Sequence, residues 1–221
     1  MNGGMAEGFD AVVLAGGGGR RLGGVDKGGL VVAGVPLLDR VLLAAAGARH
    51  TVVVGEPRPT ARPVTWARED PPGGGPLAGL AAGLSVLAQL TPAEPVVAAP
   101  GGAMTDAESD AGELPVIVLA TDLPWLRQED LARLLAALHA APDADAAMFS
   151  DPTGHLQPLT AVYRIRPIRV ALAAVEPVHA KPVKLVLHAL TVVTVPDLGA
   201  AGDCDTPEQL AAVRAHYDRQ G

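Results

Sequence analysis

Short apolar runs alternate along this chain with longer stretches in which leucine and alanine recur every three or four positions. That alternation is the pattern of βαβ units wound around a parallel sheet. It predicts strands over residues 11–15, 51–54, 116–120, 144–149, 159–163 and 191–195, with a short extended piece at 64–66. Helices are predicted over residues 36–46, 76–90, 128–140, 167–175, 182–190 and 206–219. Pro36 suits a first helical turn, where its missing N–H has no partner to lose. Leu77, Leu80, Leu84 and Leu87 mark the buried face of the second helix. The class is α/β with a mostly parallel, mixed central sheet, and the chain carries no internal repeat.

A chain of 221 residues suits a single domain over residues 1–221. With 49% hydrophobic residues and 19% charged ones it has enough apolar surface to bury a core. Residues 91–115 are different, holding Pro, Gly, Ala and acids such as Glu94, Asp106 and Glu113 with no basic residue. They are expected to form a mobile surface insertion that carries no chemistry. Aromatic residues make up 3% and the net charge is −7, which leaves neither stacking platforms nor a cationic surface for nucleic acid. No apolar run approaches the roughly 18 residues of a membrane span. Glu7 and Asp10 stand where a signal peptide would carry Lys or Arg, so a cytoplasmic protein is expected. The lone Cys204 excludes an internal disulfide and a cysteine-rich zinc site.

The first predicted strand runs into Gly16, Gly17, Gly18 and Gly19, and then into Arg20, Arg21 and Lys27. Ligands of parallel sheets bind beyond the carboxyl ends of strands, and consecutive glycines let backbone N–H groups approach a phosphate chain. The spacing does not fit G-x-G-x-x-G, and Lys27 is followed by Gly28 rather than Ser or Thr, which excludes a P-loop. The segment reads as a phosphate cradle with three cations, the alternative being a flexible glycine hairpin with solvated side chains.

Leu14-Ala-Gly-Gly-Gly-Gly-Arg-Arg-Leu-Gly-Gly-Val-Asp-Lys27 resembles the signature of nucleotidyltransferases, and most of all that of the molybdenum cofactor guanylyltransferases. Glu69-Asp70, Gly75-Pro-Leu-Ala-Gly-Leu80, Ala120-Thr-Asp-Leu-Pro124, Gln157-Pro158 and Asp205-Thr-Pro207 follow in the order such a family shows. The resemblance implies a Rossmann-like three-layer nucleotidyltransferase fold. It also implies a Mg²⁺-dependent transfer of GMP from GTP to the phosphate of molybdenum-bearing molybdopterin, with release of pyrophosphate. The alternatives are CTP or another triphosphate with a different phosphorylated acceptor, and a nucleotide-binding regulator without catalysis. Transient contact with molybdenum-insertion or cofactor-accepting enzymes is implied as well.

Roles follow residue by residue. Leu14, Ala15, Gly16 and Gly17 would line the nucleoside together with Gly75, Pro76 and Leu77, and Arg20, Arg21 and Lys27 would hold the β- and γ-phosphates. Asp122, just past an apolar strand, would ligate Mg²⁺, the alternative being a helix cap. Asp205 is the second metal candidate, although the family typically carries Asn there and Asp before Thr-Pro is also an ordinary helix start. Asp70 resembles a nucleotide-contacting Asp, with a turn residue before prolines as the alternative. Gly55 stands where the family often has Asn. Between residues 151 and 190 Arg164, Arg166, Arg169, Lys181 and Lys184 outnumber Asp151 and Glu176, a candidate region for an anionic acceptor. His155, in a loop of that half, could touch the acceptor or remain solvated.

Overall fold

A computed structural model of the protein describes residues 8–16, 18–19, 25–91 and 113–219. In chain order its elements are β1 (Asp10–Leu14), β2 (Gly18–Gly19), β3 (Val25–Asp26), β4 (Val31–Val32), β5 (Val35–Pro36), α1 (Leu37–Ala44), β6 (Thr51–Val54), β7 (Thr65–Ala67) and α2 (Gly75–Leu90). The second half adds β8 (Val116–Ala120), α3 (Gln128–Ala140), β9 (Ala146–Ser150), β10 (Leu156–Tyr163), α4 (Ile165–Ala173), β11 (Val192–Pro196) and α5 (Pro207–Asp218).

Seven strands form one sheet in the order β11-β9-β10-β8-β1-β6-β7. β1 pairs in parallel with β6 on one side and β8 on the other. β10 alone runs against its neighbours, β8 and β9. Helices cover both faces, which is why β8, and β1 and β6 after their first residues, are apolar runs rather than alternating ones. Successive side chains of β1 serve opposite layers. Ala11 and Val13 pack with Leu38 and Leu42 of α1 and Leu131 and Leu134 of α3. Val12 and Leu14 pack with Leu80 and Leu84 of α2 and Ile168 of α4. The result is a three-layer α/β fold.

Three local expectations are corrected. Pro36 is the residue before α1 rather than part of its first turn. Residues 183–189 wind as a 3-10 helix instead of an α-helix, and the buried Val183 and Val186 stand three apart, one turn of that tighter spiral. β10 begins at Leu156 and is antiparallel because Asp151-Pro-Thr-Gly154 makes a hairpin turn. There the Asp151 carboxylate accepts from the backbone N–H groups of Thr153 and His155, at 2.8 and 2.9 Å. Most of the predicted insertion, residues 92–112, lies outside the described residues. No described helix is long and apolar enough to cross a membrane.

At the amino-terminal edge of β1 the buried Asp10 carboxylate is satisfied by Arg49 (Nη2, 2.6 Å) and by the backbone N–H of His50 (3.0 Å). That knot leaves the opposite edge, the carboxyl ends of the parallel strands, as the place where loops diverge and a ligand fits.

Candidate active site

A cleft of about 200 Å³ opens over the carboxyl ends of β1, β6 and β8. Its apolar wall is Leu14, Ala15, Val54, Pro76, Ala120 and Leu159, and its polar groups are Lys27, Glu69, Thr121 and Asp122. Leu159 arrives there because β10 is antiparallel, so its starting end meets the finishing end of β8. A groove of about 490 Å³ beside Leu30, Leu210 and Arg214 is larger but lacks a convergent charge cluster. Chemistry, not size, marks the smaller cleft.

Lys27 and Asp122, 95 residues apart, meet at one end of it. The Lys27 ammonium donates to Asp122 Oδ2 at 2.8 Å and also to the Asp205 carboxylate. All three side chains are about one-fifth exposed, at 21%, 17% and 25%. Burial by itself would lower the Lys27 pKa, but the hydrogen bonds and negative charge of Asp122 and Asp205 outweigh it, and the pKa is raised above the ordinary 10.5. Burial raises the Asp203 carboxyl, and the charges of Asp205 and Asp122 add to that rise.

Local structure holds the two carboxylates in place. Asp122 stands two residues past β8, and its backbone carbonyl accepts from Cys204 N at 3.0 Å, tying the loop that bears Asp205 to the end of that strand. The N-terminus of α5 is closed by a capping box. Thr206 Oγ1 accepts from Gln209 N (3.2 Å), while Gln209 Oε1 accepts from the N–H groups of Asp205 (2.8 Å) and Thr206 (2.9 Å). Farther along α5, Tyr217 stacks on Trp125 and its hydroxyl donates to the Pro124 carbonyl at 2.8 Å. Asp122 does not cap α3: there Asp130 accepts from Arg127 N, at 3.0 Å.

Among the described residues no three His, Cys, Asp or Glu side chains converge as a complete metal cage. Mg²⁺ rarely needs one, since it commonly takes one or two protein carboxylates and fills its shell with phosphate oxygens and water. Asp122 and Asp205 already converge on a cation, the Lys27 ammonium, so the donor set suits a hard divalent ion.

The other expected site residues divide. Leu14, Ala15, Gly16 and Pro76 line the cleft. Gly75 begins α2 at its rim, whereas Leu77 is fully buried in the layer beneath. Gly17, Arg20 and Arg21 lie outside the described residues. Asp70 is exposed and outside the lining, and its neighbour Glu69 occupies the cleft instead. In extended chain one step reverses the side a residue faces, and nothing in the pair Glu69-Asp70 told the two carboxylates apart. A Cβ at Gly55, where the family often has Asn, would meet the Ala15 carbonyl carbon at 3.1 Å, so a side chain fits there only if the end of β1 gives way by a few tenths of an ångström. Three cations of the second half face elsewhere. Arg164 Nε donates to the Ala144 carbonyl (2.8 Å) and Lys181 Nζ to the Val175 carbonyl (2.7 Å), while Lys184 is exposed outside the cleft. His155 is exposed beside Thr153 and Asp151.

Residues 11–188 match the model of the MobA-like NTP transferase domain. The chain belongs to the MobA-like NTP transferase family. It is a nucleotidyltransferase. A probable molybdenum cofactor guanylyltransferase of Nostoc sp. is 29% identical over 214 residues, covering 94% of this chain and 91% of that one. A protein of the same name from Natronomonas pharaonis is 30% identical over 220 residues, covering 92% of this chain and 95% of the relative. Among solved structures, molybdopterin-guanine dinucleotide biosynthesis protein A of Archaeoglobus fulgidus superposes with a TM-score of 0.68 at 21% identity, covering 95% of this chain and 99% of that one. The 2-C-methyl-D-erythritol 4-phosphate cytidylyltransferase of Thermus thermophilus gives 0.63 at 18% identity, covering 96% and 99%. At these identities both speak for the fold. Asp205 lies beyond the matched span of the MobA-like domain, yet the loop before α5 brings it to Lys27.

Proposed function

We propose that this chain transfers GMP from GTP to the terminal phosphate of molybdenum-bound molybdopterin, releasing pyrophosphate. The observation that carries the reading is the meeting of Lys27 with Asp122 and Asp205 at the end of an apolar cleft. The names of the guanylyltransferase relatives supply the base and the acceptor.

A phosphate oxygen of the acceptor attacks the α-phosphorus of GTP. The bond from that phosphorus to the bridging oxygen of pyrophosphate breaks, and the electron pair leaves with pyrophosphate. No covalent enzyme intermediate is needed, and the protein's part is alignment and charge neutralisation. Leu14, Ala15 and Pro76 pack against the nucleoside and keep water from it. Lys27 turns from the two carboxylates to the phosphate chain, where its ammonium offsets charge gathering on the leaving group. Asp122 and Asp205 would hold Mg²⁺, which when bound neutralises phosphate oxygens and fixes their orientation.

The test is incubation of the purified protein with molybdopterin, Mg²⁺ and GTP, CTP or ATP in turn, reading pyrophosphate and the dinucleotide product by mass. Guanine dinucleotide from GTP is expected. Turnover with CTP alone, or tight GTP binding with no pyrophosphate released, would overturn the reading.

A further inference from the structure

We infer that Arg58 is a positioning residue for Lys27, acting through Asp26 to hold the turn from which the ammonium reaches the phosphates. The inference rests on Lys27 meeting the β- and γ-phosphates of the donor nucleotide.

Asp26 is the last residue of β3, and its backbone pairs with Gly18 of β2. The next residue, Lys27, opens a 3-10 turn over Lys27–Gly29, closed by Leu30 N donating to the Lys27 carbonyl at 3.1 Å. Arg58 donates through Nη1 to Asp26 Oδ2. Asp26 is therefore held by its backbone on the hairpin and by its side chain on a residue 32 positions away. Glycines make room for that contact. A Cβ at Gly29 would stand 2.9 Å from Asp26 Oδ2, and one at Gly28 would stand 3.5 Å from Arg58 Nη1 and 3.6 Å from Asp26 Oδ1.

Arg58 projects from a stiff support. Pro57 and Pro59 flank it, each with a fixed φ. Beyond them the loop between β6 and β7 is tied to α1. Ala61 N donates to Asp39 Oδ1 at 2.8 Å, and Arg62 Nη1 donates to the Leu42 and Ala45 carbonyls at 3.3 and 2.8 Å. Two arginines of one loop thus serve different ends. Arg62 ties the loop to a helix end. Arg58 Nε, shielded from solvent, has no hydrogen-bond acceptor among the described residues, so its guanidinium is placed for Asp26 rather than for its own loop.

The size of the effect decides its kind. The Asp26 side chain is 49% exposed, and a pair so open to water adds little stability. Its consequence is geometric. A lysine ammonium swings on a flexible four-carbon stem, and fixing the backbone at its root narrows the space it samples before a phosphate arrives.

Binding of GTP and GMP is measured by calorimetry with Mg²⁺, alongside thermal midpoints, for the wild-type protein, Arg58→Met, Asp26→Asn, the double variant and Arg62→Met. The quantity read is the GTP affinity divided by the GMP affinity, which isolates the β- and γ-phosphates. Arg58→Met and Asp26→Asn should each lower that ratio roughly tenfold, and the double variant should lower it no further, because the pair acts as one unit. Arg62→Met should lower the midpoint and keep the wild-type ratio. A wild-type ratio near unity overturns the phosphate role of Lys27 and this inference with it. A wild-type ratio well above unity that survives in Arg58→Met, or that falls as far in Arg62→Met, overturns the role of Arg58 alone. A double variant that regains the wild-type ratio shows that Arg58 only neutralises Asp26, and losses that multiply show two independent effects; either result overturns the positioning role. If Arg58→Met does not fold, Asp26→Asn makes the same test from the exposed side of the pair, and an unchanged ratio there overturns the inference.

Discussion

Lys27 holds two carboxylates, and its removal has two separable consequences. In Lys27→Ala, turnover should drop by a factor of about 10² or more, the scale of losing one preorganised electrostatic contact. Rapid-quench measurement of pyrophosphate release checks it, and a wild-type rate would remove Lys27 from the phosphate site. The second consequence is in stability. Because its folded pKa lies above the ordinary 10.5, the stability Lys27 contributes is fully present below that pH and is lost as pH rises through the folded value. The thermal midpoints of wild-type protein and Lys27→Met should therefore differ at pH 7 and converge above about pH 10.5. A constant gap would mean that the ammonium is not what the carboxylates sense. Asp10 gives the opposite profile, a residue important to the fold and remote from the cleft. Its side chain is 4% exposed and bound to Arg49 and His50. Asp10→Asn should cost about 1–3 kcal/mol in denaturant unfolding, with nucleotide affinity unchanged.

Among the elements, α2 shows how tightly a helix can lie on this sheet. A Cβ at Gly83 would stand 2.5 Å from Val12 Cγ1 and 3.1 Å from Val54 Cγ2, whereas one at Gly79 would meet Glu69 Oε1 at 3.2 Å and Leu14 Cδ2 at 3.4 Å. Gly83→Ala should therefore destabilise by roughly 1–3 kcal/mol, the usual cost of overpacking, in spite of alanine's better helix propensity. Gly79→Ala should instead weaken nucleotide binding with a smaller effect on unfolding. Calorimetry and urea denaturation on both variants check the contrast, and equal behaviour would show that Gly79 does not border the cleft. At α5, Thr206→Ala removes the cap that positions Asp205 and should cost about 1 kcal/mol. The elements were legible to different degrees. Apolar runs bounded by Gly, Pro and charged residues placed β6, β8 and α3 at their observed limits. The direction of β10 was not read, because the burial pattern of a central strand is the same whichever way it runs, and only the Asp151–Gly154 turn signals the reversal. Val183 and Val186 fit an α-helix and a 3-10 helix equally well by spacing.

Over the whole molecule, the sequence marked one end of the site clearly and the other poorly. Lys27, Asp122 and Asp205 stand far apart in the chain, yet each could be named because a ligand cluster forms where parallel strands end. Glu69 was passed over in favour of Asp70, since which of two adjacent carboxylates turns inward depends on how the loop from β7 meets α2. Two cations of the second half were equally opaque: a charge count cannot show that Arg164 and Lys181 hold backbone carbonyls. The account stands on a single cleft spanning β1, with the nucleoside against Leu14, Ala15 and Pro76 and the phosphates toward Lys27. A crystal structure with a non-hydrolysable GTP analogue and Mg²⁺ tests it most directly. Guanine between Gly16 and Pro76, with the β- and γ-phosphates at Lys27, is the expected result. A nucleotide in the groove beside Leu30 and Arg214, or one reversed in the cleft with its base at Lys27, would contradict it.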